Sequence, residues 1–133
     1  FMCSFCVIPF SRGRARTREL NDLLEEVNRM IVSGVQEIIL TGVNLGTYSS
    51  NGVNFIGLIE KLCTVEGLNR IRISSIEPTT IPDDIFGLMA DGSHSLMPSL
   101  HVPLQSGCDS VLRRMKRKYE LKEMYDFLIG RKM

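Results

Sequence analysis

The sequence predicts an α/β fold built on a parallel sheet, and three observations predict it. Short β-branched runs alternate with amphipathic helical stripes, the runs begin near residues 37, 70 and 99, and the connections between them are too long for hairpins. A spacing of about 30 residues is the unit length of a β/α barrel. A doubly wound sheet has the same local grammar, so periodicity alone leaves both architectures open.

The first strand is expected at Glu37–Thr41, a β-branched run bounded by Gly34 and Gly42. The second, Arg70–Ser75, alternates with period two. The third, Leu100–Gln105, alternates as well, although Pro103 lacks the donor of a fully paired strand. Helices fall between them. Leu20, Leu23, Leu24, Val27, Met30 and Ile31 follow the i, i+3, i+4, i+7 rule, and Gly34 supplies the stop. Phe55, Leu58, Ile59 and Leu62 form a second stripe. Pro82 suits the first turn of a third helix carrying Ile85, Leu88 and Met89. Val111, Leu112 and Met115 mark a short fourth helix, and Leu121, Met124, Tyr125 and Leu128 a fifth.

Bulk properties restrict the function. The 133 residues suffice for one domain, with 44% hydrophobic and 23% charged residues. No apolar run approaches the ~20 residues of a membrane-spanning helix. No signal peptide is visible, which makes a cytoplasmic location the expectation. A net charge of +1 excludes a strongly electrostatic nucleic-acid binder, so RNA contacts would fall on local patches or on other parts of a longer protein. The chain begins at Phe1 rather than Met and ends at Met133 inside a helical pattern, and is read as an internal segment. A strand just before Phe1 would complete the βα pattern.

The chemistry is expected at the carboxyl ends of the strands, where parallel α/β folds bind ligands. The loop with Cys3 and Cys6 would lie there, with Thr41–Gly46, Ser74–Pro78 and Gln105–Asp109. Gly42 and Gly46 are expected to permit positive φ and close approach of backbone to a ligand. Gly107 precedes a helix whose free N–H groups suit a carboxylate or phosphate, unless Asp109 caps them itself. Arg12, Arg14, Arg16 and Arg18 alternate along an extended segment, an anion-facing pattern whose alternative is a solvated loop. Arg113–Lys118 is read as a charged helix face rather than an RNA contact.

The four cysteines do not suggest a secreted disulfide framework, which would be shorter and denser in Cys. Cys63 is read as a small buried apolar residue. Cys108 is also read as structural, with thiolate activation at a helix N-terminus as the alternative. The C-x2-C pair Cys3/Cys6 suits zinc, thiol–disulfide exchange or an iron–sulfur cluster. Cys63, Cys108, His94 and His101 show no zinc-knuckle spacing. A thioredoxin-like pair should open a helix, whereas Cys6–Phe10 reads as extended chain.

Cys3-Ser4-Phe5-Cys6, followed by Val7-Ile8-Pro9-Phe10 and Arg12-Gly13-Arg14, resembles the last two cysteines of the radical S-adenosylmethionine motif C-x3-C-x2-C. The first cysteine would lie four residues before Cys3. His101-Val102-Pro103-Leu104-Gln105-Ser106-Gly107, with Asp109, Leu112, Met115, Arg117 and Tyr119, resembles a characteristic stretch of the methylthiotransferases. Glu37–Tyr48 and Arg70–Pro78 resemble the same family. Thr41–Asn44 and Ser75–Pro78 look most like the MtaB branch, which acts on N6-threonylcarbamoyladenosine in tRNA. The MiaB branch (isopentenyladenosine) and the RimO branch (a ribosomal protein) fit less well.

The resemblance implies a partial β/α (TIM-like) barrel of parallel strands, of the radical SAM type, truncated at both ends. Residues 1–133 would be part of the radical SAM core domain, with the N-terminal methylthiotransferase domain and the C-terminal TRAM domain outside it. Three Cys thiolates would hold a [4Fe-4S] cluster, Cys3 and Cys6 among them, and S-adenosylmethionine would bind its open iron. Reductive cleavage would yield a radical that abstracts hydrogen from C2 of the adenine, where a methylthio group is installed. Thr41, Gly42 and Val43 occupy the position that presents backbone to the methionine amino group. Ser75 and Gln105 are candidates for polar contacts to nucleoside or cofactor, and Arg14 and Arg16 for a carboxylate or RNA phosphate. Partners implied are the tRNA substrate and an electron donor protein, with no membrane. This segment alone is expected to be inactive. The rival readings are another radical SAM reaction and a non-catalytic C-x2-C metal or redox module. Strand alternation adds that His101, Pro103 and Gln105 point inward while Leu100, Val102 and Leu104 face the helices.

Overall fold

The computed structural model describes residues 2–130; Phe1 and the terminal Met133 lie outside the described residues. The elements in order are α1 (Ile8–Arg12), α2 (Leu20–Val32), β1 (Glu37–Leu40), β2 (Ser49–Ser50), β3 (Val53–Asn54), α3 (Phe55–Cys63), β4 (Arg70–Ile73), α4 (Asp84–Ala90), α5 (Asp109–Arg114) and α6 (Leu121–Gly130).

Local chemistry sets the helix ends. The Glu19 carboxylate accepts from Asp22 N–H at 3.0 Å and so caps α2. Gly34 takes φ +95° beyond its end, and Val35 N–H returns to Met30 O at 3.1 Å, which satisfies carbonyls that a continuing helix would have used. The Asn54 side chain accepts from Gly57 N–H at 2.9 Å and caps α3.

β1 and β4 pair in parallel, with Glu37 opposite Arg70 and Leu40 opposite Ile73. The register puts Ile38, Leu40, Ile71 and Ile73 on one face. There they pack with Leu20 and Val27 of α2, Phe55, Ile59 and Leu62 of α3, and Ile85 and Met89 of α4. Burying each such side chain stabilises by about 1.5–3 kcal/mol, which makes this face the fold's main energetic support. The opposite face carries Glu37, Ile39, Arg70 and Arg72. Ile39 is 58% exposed there, and Glu37 bridges Arg70 at 2.5 Å and Arg72 at 2.6 Å.

The expected third strand is shorter than a strand. Within Leu100–Gln105 only the parallel bridge of Ser75 with His101 remains, and a second bridge, Ile71 with Leu96, lies ahead of the expected run; both continue the order beyond β4. Pro98 and Pro103 lack the N–H groups a ladder needs, so pairing stays local. The chain is therefore α/β with parallel pairing in chain order. An antiparallel hairpin, β2 with β3, is an addition to the expected elements; Asn51 at φ +49° and Gly52 at φ +79° form its turn. A smaller core of Leu112, Tyr119 and Met124 joins α5 to α6, and Val102 and Phe127 pack against both cores. No helix among the described residues is long and apolar enough to cross a membrane.

Candidate cluster and cofactor site

The cysteine loop is a turn, in which Cys6 N–H donates to Cys3 O at 3.1 Å and both cysteines are partly buried. The expectation of extended chain after Cys6 is corrected, because α1 begins at Ile8 with Pro9 in its first turn. The ring of Pro9 presets helical φ at a position where its missing N–H costs nothing. Both cysteines precede this helix and neither lies inside it. A second tie fixes the loop from outside: Ser4 N–H donates to Met115 O at 3.1 Å.

Behind Cys3 lies a part-buried polar cluster. The Arg117 side chain is 4% exposed, donates from Nη1 to Cys3 Sγ at 3.2 Å, and pairs through Nη2 with Glu77 Oε1. Its guanidinium carbon stands 5.3 Å from the centroid of the Tyr119 ring, a cation–π contact. The Tyr119 hydroxyl donates to Pro103 O at 2.9 Å and to Leu104 O at 2.8 Å. Burial works against the charge of Arg117, yet the Tyr119 and Cys3 contacts and the Glu77 carboxylate outweigh it and raise its pKa. The reading of Arg113–Lys118 as a charged helix face is corrected here. α5 stops at Arg114, Lys116 takes φ +57°, and the turn swings Arg117 inward. Glu77 and Arg117 were not assigned to the site from sequence, although both belong to the segments that carry the family resemblance.

A broad cleft of about 1670 Å³ is lined by other residues, with neither Cys3 nor Cys6 among them. It gathers Arg14, Arg16, Thr41, Gly42 and Val43 with Ile39 of the open sheet face, while Ile8 and Pro9 bring the end of the cysteine loop to its wall. Arg14, Arg16, Thr41, Gly42 and Val43 are all exposed in it. The four alternating arginines do not form one extended row. Arg12 lies in α1, and Arg18 pairs with Asp22 at 2.6 Å and with Glu26, which leaves Arg14 and Arg16 as the cations between them. Gly42 and Gly46 are not among the glycines with positive φ, another correction. At Gly46 the close approach is to protein, since an added Cβ would stand 2.0 Å from Thr80 O.

Ser75 and Gln105 do not line this cleft. Ser75 Oγ lies 2.7 Å from His101 Nδ1. Gln105 is exposed at φ +67°, so the chain has left the strand and the inward alternation stops short of it. Leu100 and Val102 pack against the core as expected, but Leu104 is 42% exposed. Asp109 does not cap α5. Cys108 holds that position, and Asp109 Oδ1 accepts instead from Leu121 N–H at 2.8 Å, at the start of α6.

The remaining cysteines behave differently. Cys63 packs against the main core, and burial pushes its thiol pKa up. Cys108 is exposed, and the Ser110 hydroxyl, then the backbone of Val111 and Ser110, pull its pKa down. Among the described residues no group of three or more Cys, His, Asp and Glu side chains assembles into a metal site. Cys3 and Cys6 fit an iron–sulfur cluster in kind: two soft sulfurs in one turn, one of them receiving a buried N–H.

The chain combines parallel α/β pairing with a C-x2-C turn, and the Radical SAM superfamily model matches residues 1–129. The chain belongs to that superfamily, and membership implies a [4Fe-4S] cluster and S-adenosylmethionine. Its relatives include proteins named as methylthiotransferases. It is 40% identical over 129 residues to the threonylcarbamoyladenosine tRNA methylthiotransferase MtaB of Bacillus subtilis, covering 95% of this chain and 28% of that protein. It is 39% identical over 129 residues to the tRNA-2-methylthio-N(6)-dimethylallyladenosine synthase of Lawsonia intracellularis, covering 91% and 28%. A putative methylthiotransferase of Helicobacter pylori is 42% identical over 129 residues, covering 96% and 30%. The chain thus spans under a third of the length of these relatives.

Proposed function

We propose that this chain is the partial core domain, residues 1–133, of a radical SAM methylthiotransferase that modifies C2 of an adenosine in tRNA. In this reading the methylthiotransferase and TRAM domains lie in other parts of the protein, and the parallel segments β1, β4 and Leu96–His101 are consecutive staves of a β/α barrel. The observation that carries it is the meeting of three segments at Arg117: the cysteine turn through Cys3, Glu77 after β4, and the segment of Arg117 and Tyr119 itself. Those are the segments whose residues resemble the family.

When bound, the cluster and S-adenosylmethionine supply the one-electron chemistry and the methyl group. Cys3 and Cys6 would supply two of the thiolate ligands. Thr41, Gly42 and Val43 are exposed on the cleft, free to offer backbone groups to the methionine amino group. Arg14 and Arg16, on the same cleft, supply positive charge for a carboxylate or an RNA phosphate. Ser75 and Gln105 remain rim positions for polar contacts to nucleoside or cofactor. The tRNA and an electron donor protein are the partners, in the cytoplasm.

Within this reading the substrate is N6-threonylcarbamoyladenosine, supported by Thr41–Asn44 and Ser75–Pro78. The relatives named for dimethylallyladenosine, at 39% and 41% identity, support the second reading, an isopentenylated adenosine. Mass spectrometry of tRNA nucleosides from cells lacking and re-expressing the full-length protein separates them. Restoration of a 2-methylthio group on the threonylcarbamoyl nucleoside is expected, and restoration only on the isopentenyl nucleoside overturns the first assignment. No change in either nucleoside rejects both.

A further inference from the structure

Arg117 is more deeply buried than any other charged group described here as paired, and stability does not account for placing it so. A buried ion pair gains little over apolar side chains of the same volume. This one leaves Arg117 Nε and Glu77 Oε2 without partners among the described residues. The groups that are satisfied have a direction. Nη2 is taken by Glu77, the guanidinium plane is backed by Tyr119, and Nη1 is thereby aimed at Cys3 Sγ at 3.2 Å. Tyr119 is itself fixed by two carbonyl acceptors, Pro103 and Leu104.

We infer that Arg117, oriented by Glu77 and Tyr119, is a positioning residue for the Cys3 ligand and raises the reduction potential of the cluster that Cys3 holds. This rests on the reading of Cys3 as a cluster ligand. The free thiol sulfur stands in for the metal-bound thiolate. One-electron reduction adds negative charge that spreads onto the ligand sulfurs. An N–H donor and a cation at one of those sulfurs stabilise the reduced form more than the oxidised form. The Arg117 side chain is 4% exposed, which limits the solvent screening of that effect. Arg117 also holds the Cys3 side chain in one orientation, as outer-shell partners do for metal ligands.

The test uses the full-length protein, anaerobically reconstituted, with iron content and an EPR-monitored redox titration as readouts. The signal that Cys3→Ala abolishes identifies the cluster in question. Failure of the unsubstituted protein to show any such signal overturns the ligand reading itself, apart from this inference. Arg117→Met would leave Glu77 buried alone, so it is combined with Glu77→Gln and compared with Glu77→Gln by itself. The double variant is expected to keep its iron and to move the midpoint to more negative potential. Arg117→Lys, which keeps the charge but not the planar fork, is expected to fall between. An unchanged or more positive midpoint in the double variant, or a lysine variant equal to the unsubstituted protein, overturns the inference.

Discussion

Ser75 and His101 meet across the rim of the sheet, with Ser75 Oγ 2.7 Å from His101 Nδ1. The contact sits on the isolated parallel bridge between the same residues, reinforced by Ile76 N–H donating to His101 O at 3.1 Å. A hydroxyl that serves the imidazole has one bond fewer to offer a ligand. Ser75→Ala is therefore expected to cost about 0.5–1.5 kcal/mol of stability. In a double-mutant cycle with His101→Phe the coupling should be about 1 kcal/mol, read from denaturant midpoints. Strict additivity of the two substitutions would show that the pair contributes nothing.

The cysteines divide by environment. In the full-length protein, Cys3→Ala or Cys6→Ala is expected to abolish cleavage of S-adenosylmethionine, and Cys63→Ala to leave iron content unchanged. Burial pushes the Cys63 thiol pKa up, which disfavours the thiolate that ligation needs. Iron analysis beside absorbance near ~400 nm checks this. Loss of iron on Cys63→Ala would make that thiol a ligand.

Gly46 is a steric requirement. A methyl group there would meet the backbone oxygen of Thr80 at 2.0 Å, and a carbonyl cannot rotate away as a side chain does. Gly46→Ala should separate the Leu45–Thr47 and Pro78–Thr80 turns and destabilise by roughly 1–3 kcal/mol. A denaturant midpoint unchanged by the substitution would contradict the packing described.

Arg70 and Arg72 both hydrogen-bond the Glu37 carboxylate and hold its pKa below the usual glutamate range. A carboxyl whose folded pKa is depressed contributes stability above its ordinary value, about 4.3, and loses it as pH falls through the folded value. Glu37→Gln should therefore flatten the acid limb of the stability–pH curve below about pH 4.5 and leave neutral pH less affected by titration. Identical acid limbs in the two proteins would remove Glu37 from the linkage.

Gln105 carries a different expectation from the one strand alternation suggested. Inward burial would make Gln105→Leu weaken S-adenosylmethionine binding ten- to a hundredfold, but the amide is exposed and its backbone left-handed. Gln105→Val, β-branched at φ +67°, should destabilise by about 1–2 kcal/mol. Gln105→Gly should be near neutral in stability. Equilibrium binding of S-adenosylmethionine to the full-length glycine variant decides whether the amide touches the cofactor: unchanged affinity removes it from the site.

Much of the architecture was legible in local pattern. The apolar stripe of Leu20 to Ile31, its stop at Gly34, and the runs at 37 and 70 appear as α2, β1 and β4, because each depends on periodicity and caps within one segment. The Asn51–Gly52 dipeptide is a hairpin signal of the same local kind. The C-x2-C spacing of Cys3 and Cys6 and the motif residues point to the superfamily from the sequence alone. Other features depended on residues distant in sequence. Only the fold shows that Arg117, 114 positions from Cys3, reaches its sulfur, that Ser75 is engaged by His101, and that Gly46 answers to Thr80. The physical reason is that helix periodicity and capping follow from neighbouring residues, whereas burial of a guanidinium, the partner of a hydroxyl and the clearance at a glycine are set by which segments tertiary packing brings together.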